Sequence, residues 1–120
     1  MSAILSFHTA WVYVAVISCG VVGLWGLGLA AFRRSPGNVF QFARDAAIAA
    51  MLIQVAAGVA LYMDGRRPAT FHVFYGVVIA ITLTLAYLYR AQFARRPALA
   101  YGALLLFVMG LGIRAWMQVV

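Results

Sequence analysis

Lysine and glutamate are absent from this 120-residue chain, and cysteine occurs once. Without glutamate, Asp45 and Asp64 are the only acidic residues, and nothing in the sequence pairs them for general acid–base catalysis. The single cysteine, Cys19, excludes an intramolecular disulfide and a zinc site built from several thiolates, and we expect it to be a small packing residue. No glycine-rich phosphate loop and no nucleophile beside a base are visible. The sequence therefore indicates no catalytic centre, although a redox role stays open.

Charge is also scarce. Only 9% of the residues are charged, against about a quarter in soluble domains, while 67% are hydrophobic and the mean hydropathy is +1.00. Four apolar runs are long enough to cross a hydrocarbon core, which takes roughly 20 helical residues. The sequence predicts an all-α integral membrane protein with a single domain over 1–120. Its predicted spans cover about 7–32, 44–63, 70–91 and 97–118. No basic residue precedes the first run, which is longer than a signal-peptide core, so we expect it to be retained.

The basic residues are all arginine, and they lie near the ends of the apolar runs. Six flank the first and third connections and three lie toward the other face: Arg33, Arg34, Arg44, Arg90, Arg95 and Arg96, against Arg66, Arg67 and Arg114. This placement favours a role in topology over nucleic-acid binding, despite a pI near 10.6. By the positive-inside rule the six-arginine face is cytoplasmic, so both termini are expected to be extracytoplasmic. We expect the bacterial cytoplasmic membrane as the location.

The two halves of the chain begin alike. Phe7-His8 and Phe71-His72 each open an apolar run, an aromatic residue follows each histidine at the same spacing (Trp11, Tyr75), and no other histidine occurs. Two spans separate the two starts, so both halves run in the same direction. The sequence thus predicts a four-transmembrane-helix bundle with a 2+2 pseudo-twofold parallel repeat.

Small residues recur four apart in the predicted spans, as in Cys19/Gly23 and Gly26/Ala30, and this spacing lets membrane helices approach closely. Gln54 lies near the middle of the second span. Because an unpaired amide is costly in hydrocarbon, we expect its side chain to line a cavity or to bond across helices, and we favour the bond.

His8 and His72 are the candidate metal ligands, because parallel helices would bring both imidazoles to one depth near the outer face. A zinc site needs three or four protein ligands, whereas haem iron brings four nitrogens and two axial ligands complete it. Haem b held by two histidines is therefore the expected cofactor. The alternative is that each histidine is an interfacial residue bonded to water or backbone.

Six further residues complete the predicted cofactor site. Gly76 follows His72 on the same helical face and leaves room for a flat macrocycle. Trp11 and Tyr75 lie near the same level, where they either border the cofactor or belong to the interfacial aromatic belt. Arg66, Arg67 and Arg114 are candidates to pair with the haem propionates. Alternatively, these arginines anchor the helix ends.

A four-helix membrane unit with one histidine on each of two parallel helices resembles the b-type haem bundles of cytochrome b561 and of one half of haem A synthase. The resemblance covers the architecture of the whole chain, but in motif it rests on His8 and His72. It implies a haem b protein in electron transfer or haem handling. Cytochrome b561 carries four ligands for two haems, whereas this chain supplies ligands for one, so electron transfer across the whole membrane within one subunit is not implied.

The leading hypothesis is thus a small membrane cytochrome or haem-binding protein that exchanges electrons between quinol and an external acceptor, or handles haem. The second is a cofactor-free accessory subunit of a larger, respiratory-type membrane complex, which the small size and polar-poor spans favour. A small transporter is the third and least favoured hypothesis. It would need an ionisable group within the membrane, whereas both aspartates lie at span ends. The expected partners are membrane lipid, quinol or another subunit of a membrane complex, and a second copy of the chain, but not nucleic acid.

Overall fold

The computed structural model describes residues 2–119, and within them all regular secondary structure is helical. The long helices are α1 (Ser2–Ala31), α2 (Asn38–Met63), α3 (Thr70–Leu88) and α5 (Pro97–Met117), and the single turn α4 (Arg90–Phe93) lies between the last two. Each of the four long helices is sufficiently long and apolar to cross a membrane. The prediction of an all-α protein with four apolar, membrane-length helices is therefore confirmed.

The helices differ from the predicted spans mainly at their ends. The second helix begins at Asn38, ahead of the span predicted at 44–63, because the helical backbone continues beyond the apolar residues. The run predicted at 70–91 is divided, since α3 ends at Leu88 and the next four helical residues form α4. Pro97 opens α5, a position where its fixed φ suits the helix and its missing N–H is no loss.

Two helix ends use a left-handed residue. After α2, Gly65 has φ 93°, and the N–H of Arg66 bonds back to the carbonyl of Leu61 at 3.1 Å. After α1 the same arrangement uses Arg33, with φ 53°, and the N–H of Arg34 reaches the carbonyl of Leu29 at 2.8 Å. Glycine is the usual residue at such a position because it has no Cβ. The end of α1 therefore holds an arginine in a backbone conformation that disfavours side chains.

The four long helices form a ring in the order α1, α2, α3, α5. Helix α1 packs most extensively on α5 and α2, and α3 packs mainly on α5. Helices α2 and α3 touch only slightly, while α1 and α3 lie across the diagonal, where their backbones make no close approach. The bundle is therefore tight on the α1–α5 side and loose on the α2–α3 side.

Glycines make the α1–α5 interface tight. A Cβ added at Gly102 would lie 2.9 Å from the backbone nitrogen of Leu27 and 3.0 Å from the carbonyl oxygen of Gly23. A Cβ at Gly26 would lie 2.7 Å from the carbonyl oxygen of Ala98. The two backbones are thus in direct contact, which confirms the close approach expected at Gly23 and Gly26.

The core of the bundle is apolar, and its largest fully buried side chains are Phe40, Met51, Leu105, Val108 and Cys19. The sulfur of Cys19 lies 3.7 Å from the carbonyl oxygen of Ala47, so this residue packs α1 against α2 as expected. Within residues 3–119, no polar or charged residue is buried as a whole. The core thus contributes packing, and any polar chemistry depends on side chains that are only partly buried.

Candidate functional site

His8 and His72 lie near the N-terminal ends of α1 and α3, and their rings come close to each other across the diagonal of the bundle. Their ring centroids are 6.1 Å apart, and the two ring planes are nearly perpendicular, at 85°. Both side chains are half-buried. The only two histidines of the chain thus meet at one end of the bundle, in the space between two helices whose backbones do not touch.

The ring of His72 is oriented by α5. Its Nδ1 lies 2.7 Å from the carbonyl oxygen of Ala115. A carbonyl oxygen only accepts, so Nδ1 carries the proton and donates this bond, which leaves Nε2 with a free lone pair. Histidines that bind metals usually donate their second ring N–H in this way, which fixes the ring and makes the ligating nitrogen more basic.

The segment around His8 is fixed by α2. The amide Nε2 of Gln54 donates to the carbonyl oxygen of His8 at 2.8 Å, which is the cross-helix bond expected for this residue. One turn along α1, the indole Nε1 of Trp11 donates to the carbonyl oxygen of Ala50, also at 2.8 Å. These hydrogen bonds therefore fix the position of His8 along the bundle. The ring of His8 lies in the space that α2 leaves open beside it.

That space is provided by a glycine. A Cβ added at Gly58 would lie 3.2 Å from Cε1 of the His8 ring and 3.7 Å from its Nε2. Gly58 comes one helical turn after Gln54, on the same face of α2. The absence of a side chain at Gly58 therefore makes room for the imidazole of His8.

Two buried polar atoms at this site have no hydrogen-bond partner: Nδ1 of His8 and Oε1 of Gln54. A buried polar atom without a partner costs about 1–3 kcal/mol, and native structures contain few of them. Both atoms belong to residues joined by the hydrogen bond between α1 and α2. This end of the bundle thus has unused capacity to bind a polar group.

The aromatic and arginine residues predicted around the histidines fall into two sets. Arg114 Nη2 donates to the hydroxyl of Tyr75 at 3.4 Å, and its Cζ lies 5.8 Å from the tyrosine ring centroid, at the same end of the bundle as His72. Trp11 turns toward α2, and its ring stacks on Phe7 with centroids 5.1 Å apart. Tyr75 and Arg114 therefore lie together near the histidine pair, whereas Trp11 is hydrogen-bonded to the backbone of α2.

The two loop arginines are arranged differently. Arg67 lies over the ring of Tyr62, with its Cζ 3.9 Å from the centroid, and also donates to the carbonyl oxygens of Tyr62 and Arg66. The side chain of Arg66 is exposed. Gly76, one turn after His72, faces open space, because a Cβ there would meet nothing within 4 Å. The structure thus places Arg67 on the end of α2 and leaves free volume beside His72.

Three features of the site escape sequence reasoning. The carbonyl of Ala115 is a backbone group, for which no side chain gives a signal. Gly58 has the spacing of a residue on the Gln54 face, but only the structure shows which ring it contacts. The amide nitrogen of Gln54 makes the bond to His8, which leaves Oε1 of the same side chain without a partner. A sequence does not fix which way that amide points.

The described residues contain no group of three or more His, Cys, Asp or Glu side chains able to hold a metal ion. Two imidazoles alone undersupply zinc, so the donor set suits a metal that brings most of its own ligands. Comparisons with protein-family models, curated proteins and solved structures find no match to this chain. The function is therefore inferred from the geometry of the chain's own residues.

Proposed function

We propose that the protein is a small membrane haem b protein in which His8 and His72 are the two axial ligands. The observation that carries this proposal is the meeting of the only two imidazoles, with centroids 6.1 Å apart on diagonal helices. Two imidazoles on opposite sides of one space are what an iron with four ligands of its own requires. The proposal includes the 2+2 parallel repeat and a site near the extracytoplasmic face, in keeping with the resemblance to cytochrome b561 and haem A synthase.

Each proposed ligand has a supporting residue. The bond from His72 Nδ1 to the carbonyl of Ala115 leaves Nε2 as the ligating nitrogen and favours a basic imidazole. The absence of a side chain at Gly58 leaves the His8 ring room beside α2. Gly76 leaves open space one helical turn after His72. These features support a flat group between α1 and α3.

A haem b held here would supply a one-electron redox centre. The chain's own residues would hold it, and the apolar bundle would keep water away from it. Arg114 is the best placed cation for a propionate, since it lies beside Tyr75 at the same end of the bundle, and Arg66 and Arg67 are the remaining candidates. In this role the protein exchanges electrons between quinol in the bilayer and an external acceptor, or takes part in haem handling.

The test is the visible absorption spectrum of the detergent-purified protein, produced with adequate haem supply and measured oxidised and dithionite-reduced. We expect a Soret band in the native chain and its loss in His8→Ala and in His72→Asn. Asparagine keeps an N–H near the position of Nδ1, so His72→Asn can preserve the bond to Ala115 while removing Nε2. Thr84→Ala, on the same helix near its other end, is the control that keeps the band.

A second pair of variants tests the space beside His72. Gly76→Leu fills open volume next to the proposed haem and is expected to lower haem content, whereas Gly110→Leu also fills open volume but on α5.

A purified native chain without a Soret band, or a band that survives both histidine substitutions, would refute the proposal. A haem-free chain that co-purifies with a larger membrane complex would support the accessory-subunit alternative instead.

A further inference from the structure

At the end of the bundle opposite the histidines, a cleft opens between the end of α1 and the start of α5. Its volume is about 520 Å³, and its lining includes Arg33, Arg34 and Ser35 after α1 and Arg96 before α5. We call it the arginine cleft. It is separate from the proposed haem site, and its chemistry is independent of whether haem is bound.

The cleft is positively charged and contains no compensating acid. Arg33, Arg34 and Arg96 all have exposed side chains, and neither aspartate of the chain is part of the lining. The single ion pair among residues 2–119 joins Arg44 to Asp45 at 2.9 Å, outside the cleft. Three arginines thus belong to the lining of one cleft, and a guanidinium group can donate two parallel hydrogen bonds to an oxyanion.

The backbone adds donors to the same surface. Helix α5 begins at Pro97 without a side-chain cap, and its first backward hydrogen bond runs from the N–H of Ala100 to the carbonyl of Arg96 at 2.9 Å. Ala98 and Leu99 also line the cleft, and their N–H groups come before that bond along the helix. Free N–H groups in the first turn of a helix favour an anion, so the backbone and the arginines select the same charge.

The position of the cleft identifies the source of the anion. It lies at the ends of two membrane-length helices, where lipid headgroups are found, and basic pockets between such helices bind anionic headgroups. We propose that the arginine cleft binds a phosphate group, presented by the headgroup of an anionic phospholipid. A soluble phosphate compound offers the same chemistry, and competition between lipid and inorganic phosphate separates the two sources.

The experiment titrates short-chain phosphatidylglycerol into the purified full-length protein in a neutral detergent and measures binding by calorimetry. Because an arginine near an anionic surface contributes about 1 kcal/mol, each removal is expected to weaken binding about fivefold. The double variant Arg34→Gln/Arg96→Gln should then bind about 25-fold more weakly. Arg33→Gly removes the third cation at a left-handed position that suits glycine, so this variant is expected to fold.

The matched control is Arg90→Gln/Arg95→Gln, which removes the same charge at the same end of the bundle but outside the lining. In the native protein, Arg90 lies over the ring of Tyr87, with its Cζ 4.4 Å from the centroid. We expect this control to bind like the native protein. Equal losses in the two double variants would mean that overall charge alone attracts the lipid, and would overturn the proposal, as would undetectable binding to the native chain.

Two further titrations identify the source of the phosphate. Inorganic phosphate, added at millimolar concentration, should not displace phosphatidylglycerol if the acyl chains contribute to binding. Displacement at micromolar phosphate would assign the cleft to a soluble phosphate compound and contradict the lipid source. Zwitterionic phosphatidylcholine should bind more weakly than phosphatidylglycerol, since its positively charged choline is repelled by the arginines. Equal binding of the two lipids would contradict recognition by charge.

Discussion

The substitution Gly102→Ala tests whether the α1–α5 contact holds the bundle together. The new Cβ would lie 2.9 Å from the nitrogen of Leu27, 3.0 Å from the oxygen of Gly23 and 3.1 Å from the carbonyl carbon of Gly26. All three are backbone atoms, so no side chain can rotate away. Non-bonded carbon atoms prefer roughly 3.5–4.0 Å, and relief therefore requires the two helices to move apart along their tightest interface.

The expected magnitude follows from a comparison with Gly110→Ala on the same helix, where a Cβ would meet nothing within 4 Å. Overpacking a close-packed site costs about 1–3 kcal/mol. The gain in helix propensity from glycine to alanine, about 1 kcal/mol, applies to both variants and cancels between them. Gly102→Ala should therefore be less stable than Gly110→Ala by about 2 kcal/mol.

Cys19 provides the assay, because its side chain is 0% exposed and it packs within the bundle. A maleimide should label it only when the bundle opens. Where reclosing is faster than labelling, the rate follows the opening equilibrium. A difference of about 2 kcal/mol predicts labelling about 30-fold faster in Gly102→Ala than in Gly110→Ala in the same detergent. Labelling rates within twofold of each other would show that the helices separate at little cost, and would refute a backbone contact at Gly102.

Three further substitutions have defined outcomes in thermal unfolding. Trp11→Phe removes the hydrogen bond to the carbonyl of Ala50 and should cost about 1 kcal/mol; an unchanged midpoint would show that this bond contributes nothing. Phe40→Ala empties a fully buried position and should cost about 3 kcal/mol or more, whereas Phe42→Ala, at a residue that is 77% exposed, should cost much less; equal losses would contradict the packing of Phe40. Arg33→Gly relieves a left-handed arginine and should stabilise the protein by about 1 kcal/mol, and a lower midpoint would mean that the arginine side chain offsets its backbone strain.

The elements of the fold were predictable because they depend on patterns along the chain. Four apolar runs of membrane length specify four helices, although the ends of those helices differ from the predicted bounds. The order of packing strength was not predictable, since it depends on which faces meet. The i to i+4 pattern of small residues identifies Gly23 and Gly26, but Gly102, which fits between them, belongs to another helix and follows no pattern shared with α1.

The close approach of the two histidines was predictable, because the repeated Phe-His places each histidine at the start of an apolar run and the two runs are expected to be parallel. Which way the rings face was not, since a rotation of α1 by a third of a turn would direct His8 to lipid. That rotation is set by bonds from Gln54 and Trp11 to backbone carbonyls, and backbone acceptors are alike at every residue. Sequence reasoning thus identifies the two histidines but not the contacts that orient their rings.

The tightest interface of the bundle and the proposed site are separate. The backbone contact between α1 and α5 needs no polar group, whereas the unpartnered atoms of His8 and Gln54 lie where α1 meets α2, next to the loosely packed side of the ring. Leaving those atoms unpaired costs stability, so the bundle tolerates them because its tight interface lies elsewhere. A ligand that binds between α1 and α3 can then raise the stability of the folded state by its own binding free energy, without first having to separate α1 from α5.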